Sequence, residues 1–421
     1  MENPRLPFLS PTLVVGDKSL TVTVAHEIAH SWFGNLVTNA SWSMFFLNEG
    51  FTMYAQRRIT DMVHGEAYTA LEYLVSWRLL EQEIKDQGGG GPFTRLLCPI
   101  PDDTDPDDTY NDVPYEKGCA FLYFIREVVL DGDVAALDGW LRQYVSDFQF
   151  SCVGASEMIA HLRAHFAGRA SDPLNPVTGK LNLTVLTDWL EGEGMPPDGY
   201  TPDFSAAKAL SDPAEELHRL AVERDVPPPE TSATAEGVLG SELYSRCVAF
   251  RSWGSFQKSY ALDACTEGPP FKGGVATLLA FGKACGLHDP PSKNCELSMR
   301  WSVLLCKEGV TGHLADIDAH LTATGKQKFT LPVYRALAKA QPRHLFDEAA
   351  QTILAKCRPF LDGGVLRKVE GILATPVTEA QECEPIEADE PLGGGVKGKR
   401  FVFASGWGAL TRGKCAGCPK C

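Results

Sequence analysis

The pattern His26-Glu27-Ile28-Ala29-His30, followed nineteen residues later by Glu49, constrains this chain more than any other feature. An α-helix turns once per 3.6 residues, so His26 and His30 project from one face, one turn apart. Both imidazoles can then reach a single zinc ion at roughly 2.0–2.1 Å. Glu27 lies about 100° around the same helix, beside the metal, where its carboxylate can take a proton from bound water. Glu49 supplies an anionic third ligand from a second segment. Two His and one Glu leave a fourth position open, as a catalytic zinc site requires. A bare HExxH can also fall on an ordinary surface helix. Here the flanks Leu20-Thr21-Val22-Thr23-Val24-Ala25 and Ser31-Trp32-Phe33 are too apolar for that. Two His and a Glu on a largely buried element need partners, and a metal provides them. The sequence places a helix stop at Gly34 and a second helix over 48–58.

The stretch His26 to Asn35, together with Asn48-Glu49-Gly50-Phe51-Thr52, resembles the zinc aminopeptidases of peptidase family M1, in the aminopeptidase B and leukotriene A4 hydrolase branch. Three further stretches carry the resemblance. Met1-Glu2-Asn3 is similar to the end of the family's Gly-x-Met-Glu-Asn motif, and Phe8 to Leu20 follows it as in the family. Val113-Pro114-Tyr115-Glu116-Lys117-Gly118 is similar to the segment with the catalytic tyrosine. Gly325-Lys326-Gln327-Lys328-Phe329-Thr330-Leu331-Pro332 resembles a C-terminal segment of aminopeptidase B. The likeness extends to about residue 360, dense at the front and patchier in the middle.

The resemblance implies a mainly α fold, with a thermolysin-like zinc peptidase catalytic domain followed by an armadillo-like helical domain. It implies one zinc per chain and assigns roles. Glu27 and Tyr115 would be catalytic, and Tyr115 would donate to the oxyanion. Glu2 would hold the substrate's free α-amino group. Lys326 and Lys328 would meet its far carboxylate. The leukotriene hydrolase has arginine where Lys326 stands, and lysine cannot make the planar two-pronged contact. Asp107 and Tyr110 are similar to residues tied to epoxide hydrolysis, although an acidic loop of solvated Asp explains Asp107 as well. Family members carry a β-rich portion ahead of the Met-Glu-Asn motif. The chain reads as a shortened form lacking it, with Glu2 poorly braced near a chain end and a strand over Leu9 to Val15 short of neighbours.

A length of 421 residues suits two or three domains with sizeable cores. Residues 1–200 read as the catalytic domain, 201–237 as linker and loop, and 238–370 as the helical domain, with 213–225 as its possible first helix. Within the first unit, helices are expected over 67–87, 116–130, 133–147 and 154–167, and Leu186 to Leu190 begins the close of the domain. Loops fall at 88–92, 99–112 and 171–178. Residues 376–421, with Gly393-Gly394-Gly395 and a terminal Cys415-Ala416-Gly417-Cys418-Pro419-Lys420-Cys421, read as a disordered tail outside the resemblance. A net charge of −15 gives no electrostatic case for nucleic acid or an anionic membrane. No apolar run reaches the roughly 18 residues of a membrane span. Thirteen dispersed Cys fit a reducing compartment, so the chain is expected to be cytoplasmic and the sequons at Asn39 and Asn182 incidental.

The expected activity is removal of N-terminal residues from peptides by metal-activated water, carried out by a monomer on a substrate with a free N-terminus. Two alternatives use the same sequence differently. A leukotriene-type epoxide hydrolase would need a long apolar tunnel. A catalytically impaired short form would act as a binding protein through its helical domain.

Overall fold

Apolar side chains segregate into two cores, one drawn from Phe33 to Leu190 and the other from Ala207 to Val369 together with Leu71. This computed structural model describes residues 1–16, 20–101, 103–104, 109–167, 173–223, 234–288 and 292–374. Asp107, the terminal tail and most of the loop after residue 223 lie outside the described residues.

The first unit holds α1 (Thr21–Ala29), α2 (Phe46–His64), α3 (Glu66–Asp86), α4 (Val113–Phe124), α5 (Val134–Phe148), α6 (Ala155–Phe166) and α7 (Leu183–Glu191). Two short strands, β1 (Val37–Asn39) and β2 (Ser151–Val153), pair in parallel, with Val37 opposite Ser151. Local chemistry sets several helix starts. Asp133 and Asn182 each accept from a backbone N–H in the first turn of α5 and α7, and the Glu157 carboxylate reaches back to the Gly154 N–H ahead of α6. Pro114 sits in the first turn of α4, where no intrahelical N–H is needed. The expected 116–130 helix is interrupted, because α4 passes into a π-helical turn over Ile125–Val129.

No strand forms over Leu9 to Val15. The segment makes a 3₁₀ turn, Pro11–Leu13, with the Ser10 side chain accepting from the Thr12 N–H. Pro11 has no N–H for a ladder, and Ser-Pro favours turn initiation.

Two features fix α4 against its surroundings. The Lys117 side chain, wholly buried, donates to the carbonyls of Thr94, Gly192 and Gly194 at 2.8–2.9 Å. That ties α4 to the loops after α3 and α7. On another face, α4 crosses α2 at Gly118 and Gly50. A Cβ at Gly50 would stand 2.6 Å from the Gly118 carbonyl carbon, so only glycine permits this approach.

The second unit runs α8 (Lys208–Glu223), α9 (Ala235–Phe250), α10 (Ser255–Glu267), α11 (Gly274–Cys285), α12 (Cys295–Lys307), α13 (Leu314–Ala323), α14 (Gln327–Leu337), α15 (Arg343–Cys357) and α16 (Gly363–Ala374). Helices α8, α10, α12, α14 and α16 pack in succession, while α9 packs on α11 and α13 on α15. The result is a two-layer stack in which each helix leans mainly on near neighbours in sequence. The α8 helix covers most of 213–225, expected as a possible first helix, and begins earlier, at Lys208, in the stretch read as linker. Its Ala214, Leu217, Leu220 and Ala221 are buried in the second core.

The α3 helix joins the units. Its Tyr73, Trp77 and Leu80 face the first core and Leu71 the second. The Arg78 guanidinium donates to the Tyr260 hydroxyl, which donates to Glu215. Among the described residues, no helix is long and apolar enough to cross a membrane, and the nine described cysteines are free thiols.

Candidate metal centre

Helices α1 and α2 pack together and bring His26, His30 and Glu49 to one point. Each imidazole Nε2 stands 3.3 Å from Glu49 Oε2, and the two Nε2 atoms stand 3.1 Å apart. His30 and Glu49 are only 2% and 3% exposed. Glu27 points beside this group, with Oε2 2.8 Å from the Met1 amino nitrogen.

The far side of each ring fixes which nitrogen faces the centre. His30 Nδ1 lies 2.8 Å from the Phe33 carbonyl, which can only accept, so Nδ1 carries the proton. The Thr52 hydroxyl donates to the same carbonyl. His26 Nδ1 lies 3.0 Å from Gln56 Oε1, again an acceptor. Both Nε2 atoms therefore present lone pairs to the same small volume. Gly34 is required beside it: at φ +114° it occupies backbone that L side chains rarely adopt, and a Cβ there would press to 2.9 Å of His30 Nδ1.

Two lone pairs and a carboxylate oxygen facing one another make an electron-rich point with no donor of its own. Glu49 Oε2 is buried without a hydrogen-bond partner. Burial pushes the Glu49 carboxyl up and the His30 imidazole down. The contacts among Glu49, His26 and His30 outweigh it, so Glu49 stays below the usual carboxylate range and His30 is raised. A cation is the natural partner of such a set, and the two-nitrogen, one-oxygen chemistry suits zinc with an open fourth position.

On α4, Tyr115 faces this group, its ring 6.2 Å from that of His26 and inclined by 25°. Burial, and then the charge of Glu49, push its phenol well above the ordinary tyrosine range, so it remains a hydrogen-bond donor. Tyr110 packs edge-on against Tyr115 with centroids 5.9 Å apart. Glu2 is held by its backbone, where the Asn35 side-chain amide donates to the Glu2 carbonyl at 2.6 Å, and its charge acts on both His30 and Tyr115.

The two lysines lie on the second unit. Lys328 donates to Glu296 at 2.5 Å and its charge also acts on Asp112, three residues before Tyr115. Lys326 forms the N-terminal boundary of α14, its ammonium 5.9 Å from the centre of the Phe329 ring. Neither touches the His26, His30 and Glu49 group.

Next to Tyr110 opens a cavity of about 420 Å³, lined chiefly by Trp42, Phe45, Phe93, Leu96, Ile100 and Pro114. Sequence reading passed over Gln56, Thr52 and the Gly50–Gly118 crossing. For the first two a signal existed. Thr52 and Gln56 are three and seven residues beyond Glu49, on the same helix face. The crossing joins segments 68 positions apart, and no local pattern announces it.

Comparison with known proteins agrees with this geometry. The Peptidase family M1 domain matches residues 1–178, and the Leukotriene A4 hydrolase C-terminal domain matches residues 253–373. The chain carries a peptidase family M1 domain followed by a leukotriene A4 hydrolase C-terminal domain. It is similar to aminopeptidase B of Mus musculus, 35% identical over 89% of this chain and 53% of that protein. Aminopeptidase B of Rattus norvegicus is 37% identical over 80% of this chain and 48% of its own length. Leukotriene A-4 hydrolase of Xenopus laevis is 32% identical over 80% of this chain and 50% of its own. Among solved structures, native yeast LTA4 hydrolase superposes with a TM-score of 0.73 at 28% identity, over 89% of this chain and 57% of that one. The chain thus spans about half the length of the curated relatives it matches. The fold is that of an LTA4 hydrolase-like M1 peptidase, a thermolysin-like catalytic domain followed by a helical domain, and zinc is the metal expected in it.

Proposed function

We propose that this chain is a zinc aminopeptidase that removes N-terminal residues from peptides. The observation that carries the proposal is the meeting of His26 Nε2, His30 Nε2 and Glu49 Oε2 at one buried point. In this reading those three residues hold one zinc ion per chain. Bound there, the metal would supply Lewis acidity and lower the pKa of a bound water to about 7.

The remaining steps belong to the protein. Glu27 accepts the proton of the attacking water and delivers it to the leaving amine. Tyr115, kept protonated by burial and by Glu49, donates its hydroxyl to the oxygen on which negative charge develops. Glu2 takes the substrate α-ammonium and restricts cleavage to the first peptide bond. Lys326 and Lys328, at the start of α14, attract the substrate's far carboxylate. The partner is a peptide with a free N-terminus. The enzyme works as a cytoplasmic monomer without nucleic acid or membrane, and its two-layer helical stack is of armadillo type.

The test joins metal analysis to kinetics on an aminoacyl-amide substrate. The parent chain should carry one zinc and cleave single N-terminal residues. Glu27→Gln should keep the zinc and lose activity by about 10²-fold or more. A folded parent without zinc, or a Glu27→Gln variant as active as the parent, refutes the proposal.

A second reading, epoxide hydrolysis of a lipid, draws on one observation, the apolar cavity beside Tyr110. Turnover of an epoxide lipid that is lost in Asp107→Asn and Tyr110→Phe, with peptide cleavage retained, would favour it.

A further inference from the structure

Behind the His26 ring lies a buried polar chain that the catalytic proposal does not use. His26 Nδ1 meets Gln56 Oε1 at 3.0 Å, and the other end of the same amide, Gln56 Nε2, donates to Glu72 Oε1 in a very short contact. Gln56 and Glu72 are both buried. Beyond them, Arg57 Nε lies 3.9 Å from Glu72. Its guanidinium is held by Glu116 at 2.7 Å, by the Cys119 sulfur at 2.9 Å, and over the Tyr73 ring at 4.0 Å from the centroid.

A side-chain amide is two-faced. With its oxygen toward His26, it requires the proton on Nδ1 and leaves Nε2 as a lone pair. Turned over, its NH₂ would face the ring, require Nδ1 to accept, and place the proton on Nε2, where ligation would be lost. Nothing in the His26–Gln56 contact alone chooses between these. Glu72 does. An ionised carboxylate only accepts, so the amide NH₂ must face it and the oxygen must face His26. Burial and Glu116 oppose charge on Glu72 while Arg57 and the Gln56 amide favour it, and the carboxyl is pushed up to about 7, so the relay is set above that pH.

We infer that Glu72, acting through Gln56, is a positioning residue that sets the tautomer of His26 and keeps its Nε2 free for the metal. A neutral amide stands directly against the imidazole, and the carboxylate that orients it is set back by one side chain. His30 needs no such relay, because the Phe33 carbonyl cannot turn over. The inference rests on His26 being a zinc ligand, but the tautomer it assigns exists with or without metal.

The experiment measures two quantities on the full chain. One is the His26 tautomer in metal-free protein, read from long-range ¹⁵N–¹H correlations. The other is zinc affinity, read by competition with a chromophoric chelator. The parent should show protonated Nδ1. Glu72→Gln replaces an obligate acceptor by a group that both donates and accepts. It should give mixed tautomers and bind zinc roughly tenfold or more weakly, the scale of lost outer contacts at metal sites. Glu116→Gln disturbs the same Arg57 cluster without touching the relay, and should leave tautomer and affinity unchanged. The exchange Gln56→Glu with Glu72→Gln puts an acceptor back against His26 and should restore both. The inference is overturned if Glu72→Gln keeps a pure Nδ1–H tautomer, or if Glu116→Gln weakens zinc as much as Glu72→Gln. A parent that binds no zinc yet shows the expected tautomers would refute the metal reading and leave the relay standing.

Discussion

Replacing Gly50 by alanine tests the link between helix packing and catalysis. The new Cβ would stand 2.6 Å from the Gly118 carbonyl carbon, 2.7 Å from its Cα and 3.0 Å from the Cys119 nitrogen. Carbon atoms prefer about 3.5–4.0 Å, so α2 and α4 must part by roughly 1 Å. All three obstacles are main chain and cannot rotate aside. Overpacking of this kind costs about 1–3 kcal/mol, and contact with backbone places Gly50→Ala at the upper end. Alanine's better helix propensity offsets roughly 0.5–1 kcal/mol, leaving about 2 kcal/mol of net destabilisation. For a folding unit of 150–250 residues this lowers the melting temperature by about 4–8 °C. The functional effect is more specific. Glu49 rides on α2, against which α1 packs with His26 on it and His30 just past its end, so the three ligands stay together while Tyr115 on α4 is displaced from them. Zinc content should therefore hold while turnover falls about 10²-fold, the scale of a 1 Å misplacement of a reacting group. Differential scanning calorimetry, metal analysis and aminoacyl-amide kinetics on one preparation report all three. As control, Gly139→Ala in α5 would meet only the far end of the Arg142 side chain, at 4.0 Å, and should melt no lower than the parent. A Gly50→Ala protein that melts within about 1 °C of the parent and retains at least half its turnover refutes this account of the crossing.

Tyr115→Phe removes the proposed oxyanion donor and should lower kcat by about 10²–10³-fold with zinc content unchanged, as kinetics beside metal analysis would show. Lys117→Met leaves the carbonyls of Thr94, Gly192 and Gly194 without their shared donor and should destabilise the first unit by about 3 kcal/mol or more, read from denaturant midpoints. Burial pushes Glu72 up to about 7 from 4.5. The folded state therefore holds this proton more tightly than the unfolded chain does. Its contribution to stability is full below pH 4.5 and is lost as pH rises toward 7, by about 3 kcal/mol at most. Zinc-saturated parent should thus lose stability relative to Glu72→Gln across that window, and a constant difference between them would refute the sign.

What could be read from the residues divides by the range over which each constraint acts. The spacing of His26 and His30 is a property of one helix, and the apolar flanks of α1 already required a partner for them. Glu49 could be read only as a carboxylate at a suitable distance. Its arrival depends on the turn from Phe33 to Phe45, including the left-handed Gly34, which folds α2 back onto α1. Tyr115 stood out among eleven tyrosines through its family-like neighbours, not through spacing. The strand expected over Leu9 to Val15 does not form because Ser10-Pro11 turns the segment into a 3₁₀ bend. The Gln56–Glu72 relay shows the deeper difficulty. The register of α2 put Gln56 on the metal-facing stripe with Glu49, so its direction was readable. Its role was not, because an amide is ambiguous until the group behind it is known, and that group lies on another helix. Where a side chain can both donate and accept, its neighbours decide what it does. Tertiary structure therefore adds most at such two-faced groups, and in this chain one of them stands against a proposed metal ligand.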